Sequence, residues 1–165
     1  MAEELNDVLT KHFQRIKVIF TGFFMEPFIL YFVMLLIAYS NSGGINDFNG
    51  IIYLESTVVR YVSLGFIVFS VIEYYTIVVI MKKFSTMFGA FANVEEYISI
   101  YCRKIILLTS LSVTPSILGF IFYISTGDII VSTLFYLVAL VSLFRVYPRY
   151  NIFRDLYIDL TKEDI

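Results

Sequence analysis

Tryptophan is absent from this sequence, and cysteine and histidine occur once each, as Cys102 and His12. A single thiol forms no intramolecular disulfide. One Cys and one His are too few for a zinc or haem site of the usual build, so no metal or cofactor is expected. The chain carries no Ser/His/Asp set, no Cys/His pair and no phosphate-binding glycine loop. Enzyme is therefore the least expected class. Charge is also scarce: 12 Lys and Arg against 14 Asp and Glu give a net charge of −2 over 165 residues. No basic patch interleaved with aromatics stands out, so nucleic acid is not an expected partner. The acidic N-terminus, followed by a long apolar run without a small-residue cleavage motif, does not read as a cleavable signal peptide.

What fills the chain instead is apolar. Hydrophobic residues make up 59% of it, against about 45–50% in soluble domains, and the mean hydropathy is +0.82. The excess lies in four runs, at 18–39, 58–80, 105–124 and 129–146, each long enough to cross a bilayer as a helix. The expected fold class is all-α: a polytopic four-transmembrane-helix bundle forming a single membrane domain over 1–165. A turn-rich Asn/Gly loop follows the first run, and S-T-G-D at 125–128 is a tight turn between the last two.

Amphipathic segments flank the spans. In 3–16, Leu5, Val8, Leu9, His12, Phe13 and Ile16 recur at helical spacing, as expected of a segment lying on the membrane or on a partner. Phe84, Met87, Phe88 and Phe91 share a face in the connection 84–104. Asn93 with Glu96 makes a capping-box-like start for a helix near Val94. The tail 151–160 repeats the theme through Ile152, Phe153, Leu156 and Leu160.

Eleven of the twelve Lys and Arg lie at the N-terminus, in the middle connection or at the C-terminus, and only Arg60 lies on the other side. By the positive-inside rule both termini are cytoplasmic and the protein sits in the cell (inner) membrane. Without tryptophan, tyrosine must supply the interfacial belts: Tyr39, Tyr53, Tyr61 and Tyr123 outside, Tyr97, Tyr101, Tyr147 and Tyr150 inside.

The chain also resembles itself. With Pro27 aligned on Pro115, Arg15 falls on Arg103, Thr21 on Thr109, Ile29-Leu30 on Ile117-Leu118 and Phe32 on Phe120. The reading is two parallel helical-hairpin repeats related by a pseudo-two-fold axis along the membrane normal. Chance matching in apolar helices is the alternative.

Two carboxylates interrupt the apolar runs. Glu26 follows Lys17 by nine residues, and Glu73 precedes Lys82 by nine. Each is therefore roughly 13 Å along its helix from the cytoplasmic lysines, at similar depth. This gives a candidate ion- or solute-binding layer of Glu26, Glu73, Thr21, Thr109, Thr114 and Ser70, with Tyr74, Tyr75 and Tyr136 as phenol donors. Two carboxylates close together in low dielectric do not easily both ionise. Gly22, one turn from Glu26, would allow close helix approach. The plain alternative is that such groups are structural glue between helices or subunits.

Duplicated hairpins carrying a membrane carboxylate resemble the four-span rotor-ring proteolipids of rotary ATPases. Those proteins have glycine-rich first helices and an essential acid in the second helix of a hairpin. Glu73 fits that pattern; Glu26 does not, the fourth span has no acid, and the eight glycines here are scattered or in loops. Four spans with a glutamate in the first are also similar to small multidrug exporters, which are shorter and have no place for the connection at 81–104. Neither resemblance assigns a family. The expected function is a non-catalytic integral membrane subunit or scaffold, with the lipid bilayer and a second copy or other membrane subunits as partners. A small proton-coupled carrier or ion channel using Glu26 and Glu73 is the alternative.

Overall fold

The computed structural model describes residues 2–42, 48, 50–52, 55–84 and 94–162. Five helices account for nearly all of them: α1 (Ala2–Ser42), α2 (Ser56–Phe84), α3 (Val94–Thr126), α4 (Ile129–Val146) and α5 (Tyr150–Lys162). The first four are long and apolar enough to cross a membrane. The apolar connection around Met87, Phe88 and Phe91, and the Asn93 cap, lie outside the described residues.

α3 is the centre. Half of its most apolar window is buried, against 17% in α1 and in α2. It packs along α4 on one side and α1 on the other, while α2 leans on α3 and α4. α1 makes no comparable contact with α2, so the two halves of the chain do not pair alike. The duplication is not confirmed by this arrangement.

The α3–α4 hairpin closes through a two-residue link. Gly127 adopts φ 75°, a left-handed conformation that suits glycine, and its N–H donates to the Tyr123 carbonyl at 2.7 Å. Asp128 then caps α4, its Oδ1 accepting from the N–H groups of Ile130 and Val131 at 3.0 Å each. Residues of the α1–α2 loop seal the same end. Ile51 N and Ile52 N donate to the carbonyls of Ile124 (2.9 Å) and Ser125 (3.2 Å), two acceptors that the end of α3 leaves without helical partners.

At the opposite end α1 and α3 outrun any bilayer. Their 41 and 33 residues span about 60 and 50 Å, against a hydrocarbon core of about 30 Å. Residues 3–16 run straight into the first span as the first turns of α1. Their apolar face is covered by the chain itself: Leu9, Phe13 and Ile16 pack with Tyr97, Ile98, Tyr101 and Ile105 of α3 and Phe153 of α5. Phe153 is fully buried, its ring 4.8 Å from that of Tyr101 and 5.6 Å from that of Phe13, and the Tyr97 hydroxyl donates to the Phe153 carbonyl at 2.8 Å. The tail is thus a lid on a three-helix end bundle. Its helical pattern is the same whether lipid or protein covers it, so sequence alone does not tell which of the two meets it.

Of the expected belt tyrosines, Tyr39, Tyr61 and Tyr147 are exposed as a belt requires, but Tyr97, Tyr101 and Tyr123 are core residues. Tyr53 lies outside the described residues.

Candidate functional site

Glu26 lies on the half-buried side of α1, next to the buried ring of Pro27, and faces α3. Its Oε2 is 2.8 Å from Ser116 Oγ, and Ser116 is completely buried. Ser116 Oγ is also 2.6 Å from the Val113 carbonyl of its own helix. One hydroxyl has one hydrogen and two acceptors in range. That hydrogen is shared between the Glu26 carboxyl oxygen and the Val113 carbonyl, so Ser116 donates across to α1 as well as back along its own helix. The prolines of both helices flank this tie, Pro27 after Glu26 and Pro115 before Ser116.

Further along α1 from Glu26, away from the end bundle, stands a phenol cluster. Tyr136 of α4 is within electrostatic reach of both Glu26 and Tyr31. The Tyr31 and Tyr136 rings meet edge-on at 5.1 Å. The hydroxyls of Tyr136 and Tyr123 are buried with no hydrogen-bond partner.

Glu73 sits on the other flank of α3. It shares the inward face of α2 with Ser70 and Ile77, and Ile77 packs on Leu108 and Val146. Glu73 is 6% exposed and Ser70 3%, and neither carboxyl oxygen nor the Ser70 hydroxyl has a hydrogen-bond partner. Thr114 is near enough to act on the Glu73 carboxyl. Its hydroxyl nevertheless points along its own helix, to the Ser110 carbonyl at 3.2 Å. That is a long hydrogen bond, readily exchanged, and it leaves the Thr114 oxygen free to accept.

The remaining expected residues scatter. Thr21 is exposed and donates to the Lys17 carbonyl at 2.8 Å. Thr109 is fully buried and shares its hydrogen between the carbonyls of Ile105 (2.6 Å) and Ile106 (3.1 Å). Tyr74 accepts from Arg145 Nη1 at 3.0 Å, with the guanidinium 5.6 Å from its ring centroid. Tyr75 is exposed.

One polar layer therefore resolves into two sites. Glu26 reaches Ser116 and Glu73 reaches Thr114, two residues apart on α3 and so roughly 200° around the helix. The body of α3 stands between them, and α1 and α2 scarcely touch. The two carboxylates are not brought together as a pair.

Two residues that matter here do not stand out in the sequence. Ser116 is one of five hydroxyl residues between 109 and 116, and spacing alone does not say which faces α1. Gly119 is the point of closest helix approach: a Cβ there would lie 2.8 Å from Phe135 Cβ and 3.0 Å from the Ser132 carbonyl. The available signal is Ser112, Ser116 and Gly119, small residues at helical spacing. Gly22, expected to serve this purpose, has nothing within 4 Å of a Cβ placed on it. Among the described residues no group of three or more His, Cys, Asp or Glu could hold a metal ion. Comparison with protein families, with curated proteins and with solved structures found no match to this chain.

Proposed function

We propose that this chain is a non-catalytic integral membrane subunit or scaffold, with four spans, both termini cytoplasmic, and an oligomeric or hetero-oligomeric working state in the cell membrane. The observation that carries it is the position of α2. A helix apolar enough to span a bilayer is held to the others along one stripe only, and its flank toward α1 is left open. A fourth span so placed suits completion by a neighbouring subunit. Orientation is supported by the charge partition together with the end bundle, which gathers Leu9, Tyr97 and Phe153 and so puts the N-terminal turns, the start of α3 and the tail at one end. The repeat is supported by register: α1 and α3 run parallel, with Leu9 and Phe13 in one cluster with Tyr97 and Tyr101, the same offset that aligns Pro27 on Pro115. The test is purification from native membranes in mild detergent with mass determination of the intact particle. A stoichiometric partner or a defined homo-oligomer is expected. A lone monomer that retains its lipid shell would overturn the reading.

One observation favours a second reading, a small proton-coupled carrier or channel: the bare carboxyl of Glu73. Proteoliposomes with an internal pH-sensitive dye separate the two. Acid-driven flux abolished by Glu73→Gln belongs to the carrier, and no flux above protein-free vesicles belongs to the scaffold.

A further inference from the structure

Two acids enter the α3 surface in the same way but end differently. Glu26 Oε2 accepts from Ser116 Oγ, which also reaches the Val113 carbonyl, so this carboxyl has a partner. Glu73 approaches the equivalent pair, Thr114 and the Ser110 carbonyl, yet both of its oxygens are left unpaired. An ionised carboxylate buried with no donor is strongly disfavoured, and a neutral one still wants an acceptor for its hydrogen. Thr114 can answer both needs. When its hydrogen lies on Ser110 its oxygen accepts from a neutral acid, and when it turns it donates to a carboxylate. Ser70, one turn before Glu73 and equally unpartnered, supplies a second hydroxyl.

Ser70 also faces a groove. A cavity of about 510 Å³ runs between α2 and α4, lined by Ile67, Ser70, Val71, Tyr74, Phe135 and Val138 among others, with Ser70 as its buried polar member.

The geometry points to a proton-binding site made of Glu73, Thr114 and Ser70 at the α2–α3 contact, with Ser70 on its edge toward the α2–α4 groove and Glu26 excluded from it as a structural tie. Loading is a simple balance: the carboxylate takes one proton from water to become the acid, and releases it to water again, with no other bond made or broken. Few charges oppose this. Thr114 and Ser110 face the acid from α3 and do not titrate. Arg145 of α4 is turned onto Tyr74, Tyr136 of α4 lies with Glu26 and Tyr31, and α1 does not pack on α2. Lys82 and Lys83 lie nine and ten residues along α2, and Lys104 ten before Thr114. The inference goes beyond both readings above, since a proton can load here whether or not it crosses the bilayer.

An apolar carbodiimide tests it on the full chain in phosphatidylcholine vesicles. The reagent adds a protonated carboxyl across one C=N bond and rearranges to an N-acylurea, keeping all atoms of both, so the peptide gains the reagent's mass. Glu73 should be modified at least about tenfold faster than Glu26, a barrier difference of ~1.4 kcal/mol, and the rate should fall as pH is raised. Equal or faster modification of Glu26, no modification of Glu73, or a rate indifferent to pH would overturn the site. Infrared difference spectra between acid and alkaline vesicles give a second measure. The protonated-carboxyl band that responds to pH should vanish in Glu73→Gln and persist in Glu26→Gln; persistence in Glu73→Gln sinks the proposal. A band that behaves as expected, without proton flux, would leave the site standing and remove only the carrier reading.

Discussion

Glu26 Oε2 lies 2.8 Å from Ser116 Oγ, joining α1 to α3 between two prolines. Ser116 donates to this carboxyl oxygen, so position 26 must supply an acceptor. Glu26→Gln can do so through its amide oxygen and should leave stability in detergent nearly unchanged. Glu26→Leu and Ser116→Ala each remove the tie and should cost about 1 kcal/mol, the scale of interhelical hydrogen bonds in membrane proteins. Unfolding of the purified variants checks this. A Glu26→Gln loss as large as that of Glu26→Leu would mean that the carboxylate itself, and not merely an acceptor, is needed there.

Gly119 and Gly22 give a contrast within one measurement. A methyl group on Gly119 meets Phe135 Cβ and a backbone carbonyl, and backbone does not move aside cheaply. Gly119→Ala should lower stability by about 1–3 kcal/mol, the usual range for overpacking. Gly22→Ala meets open space in a helix interior and should be neutral or stabilising by up to about 1 kcal/mol. Equal effects at both positions would argue that α3 and α4 do not approach as closely as described.

Much of the fold is legible in the sequence because hydropathy is a property of long local runs. The fourth span, expected at 129–146, is α4 residue for residue, and the first three expected spans lie inside α1, α2 and α3. What is not legible is which neighbour covers each apolar face. Leu9, Phe13 and Phe153 show the same periodicity whether they meet lipid or each other, and their meeting joins residues some 140 positions apart. Tyr97, Tyr101 and Tyr123 leave the expected belts for the same reason: Tyr97 and Tyr123 differ from Tyr39 only in what packs on them. The candidate site was half readable. Glu26 and Glu73 announce themselves as charges in apolar runs, but their separation by α3 depends on the angular position of Ser116 and Thr114.

The end bundle should respond as a unit. Phe153 is fully buried among Phe13, Tyr97 and Tyr101, so Phe153→Ala leaves a cavity worth about 3–5 kcal/mol. α5 also rests on α1 through Tyr150, whose ring meets Phe13 at 5.3 Å, but Phe153 is its fully buried anchor, and without it α5 would detach before the long helices melt. Hydrogen exchange should therefore rise across 150–162 in this variant and stay low in the middle of α3. Tyr97→Phe, which removes only the hydrogen bond to the Phe153 carbonyl, should give a smaller change of about 1 kcal/mol. Unaltered exchange in the tail of Phe153→Ala would show that α5 is held by something other than this ring.

Topology is decided by labelling, with Cys102 first replaced by serine so that each introduced thiol is unique. Eleven of twelve cationic residues fall on the side of the end bundle, and moving such charges across a bilayer is what the positive-inside rule penalises. Ser125 lies at the opposite end, bonded to the α1–α2 loop through its carbonyl. A membrane-impermeant maleimide applied to intact cells should modify Ser125→Cys and leave Glu95→Cys, at the exposed start of α3, untouched until the membrane is opened. The reverse pattern would invert the protein. Modification of both from outside would be worse for the reading, because α3 would then start and finish on the same side and could not be a span at all.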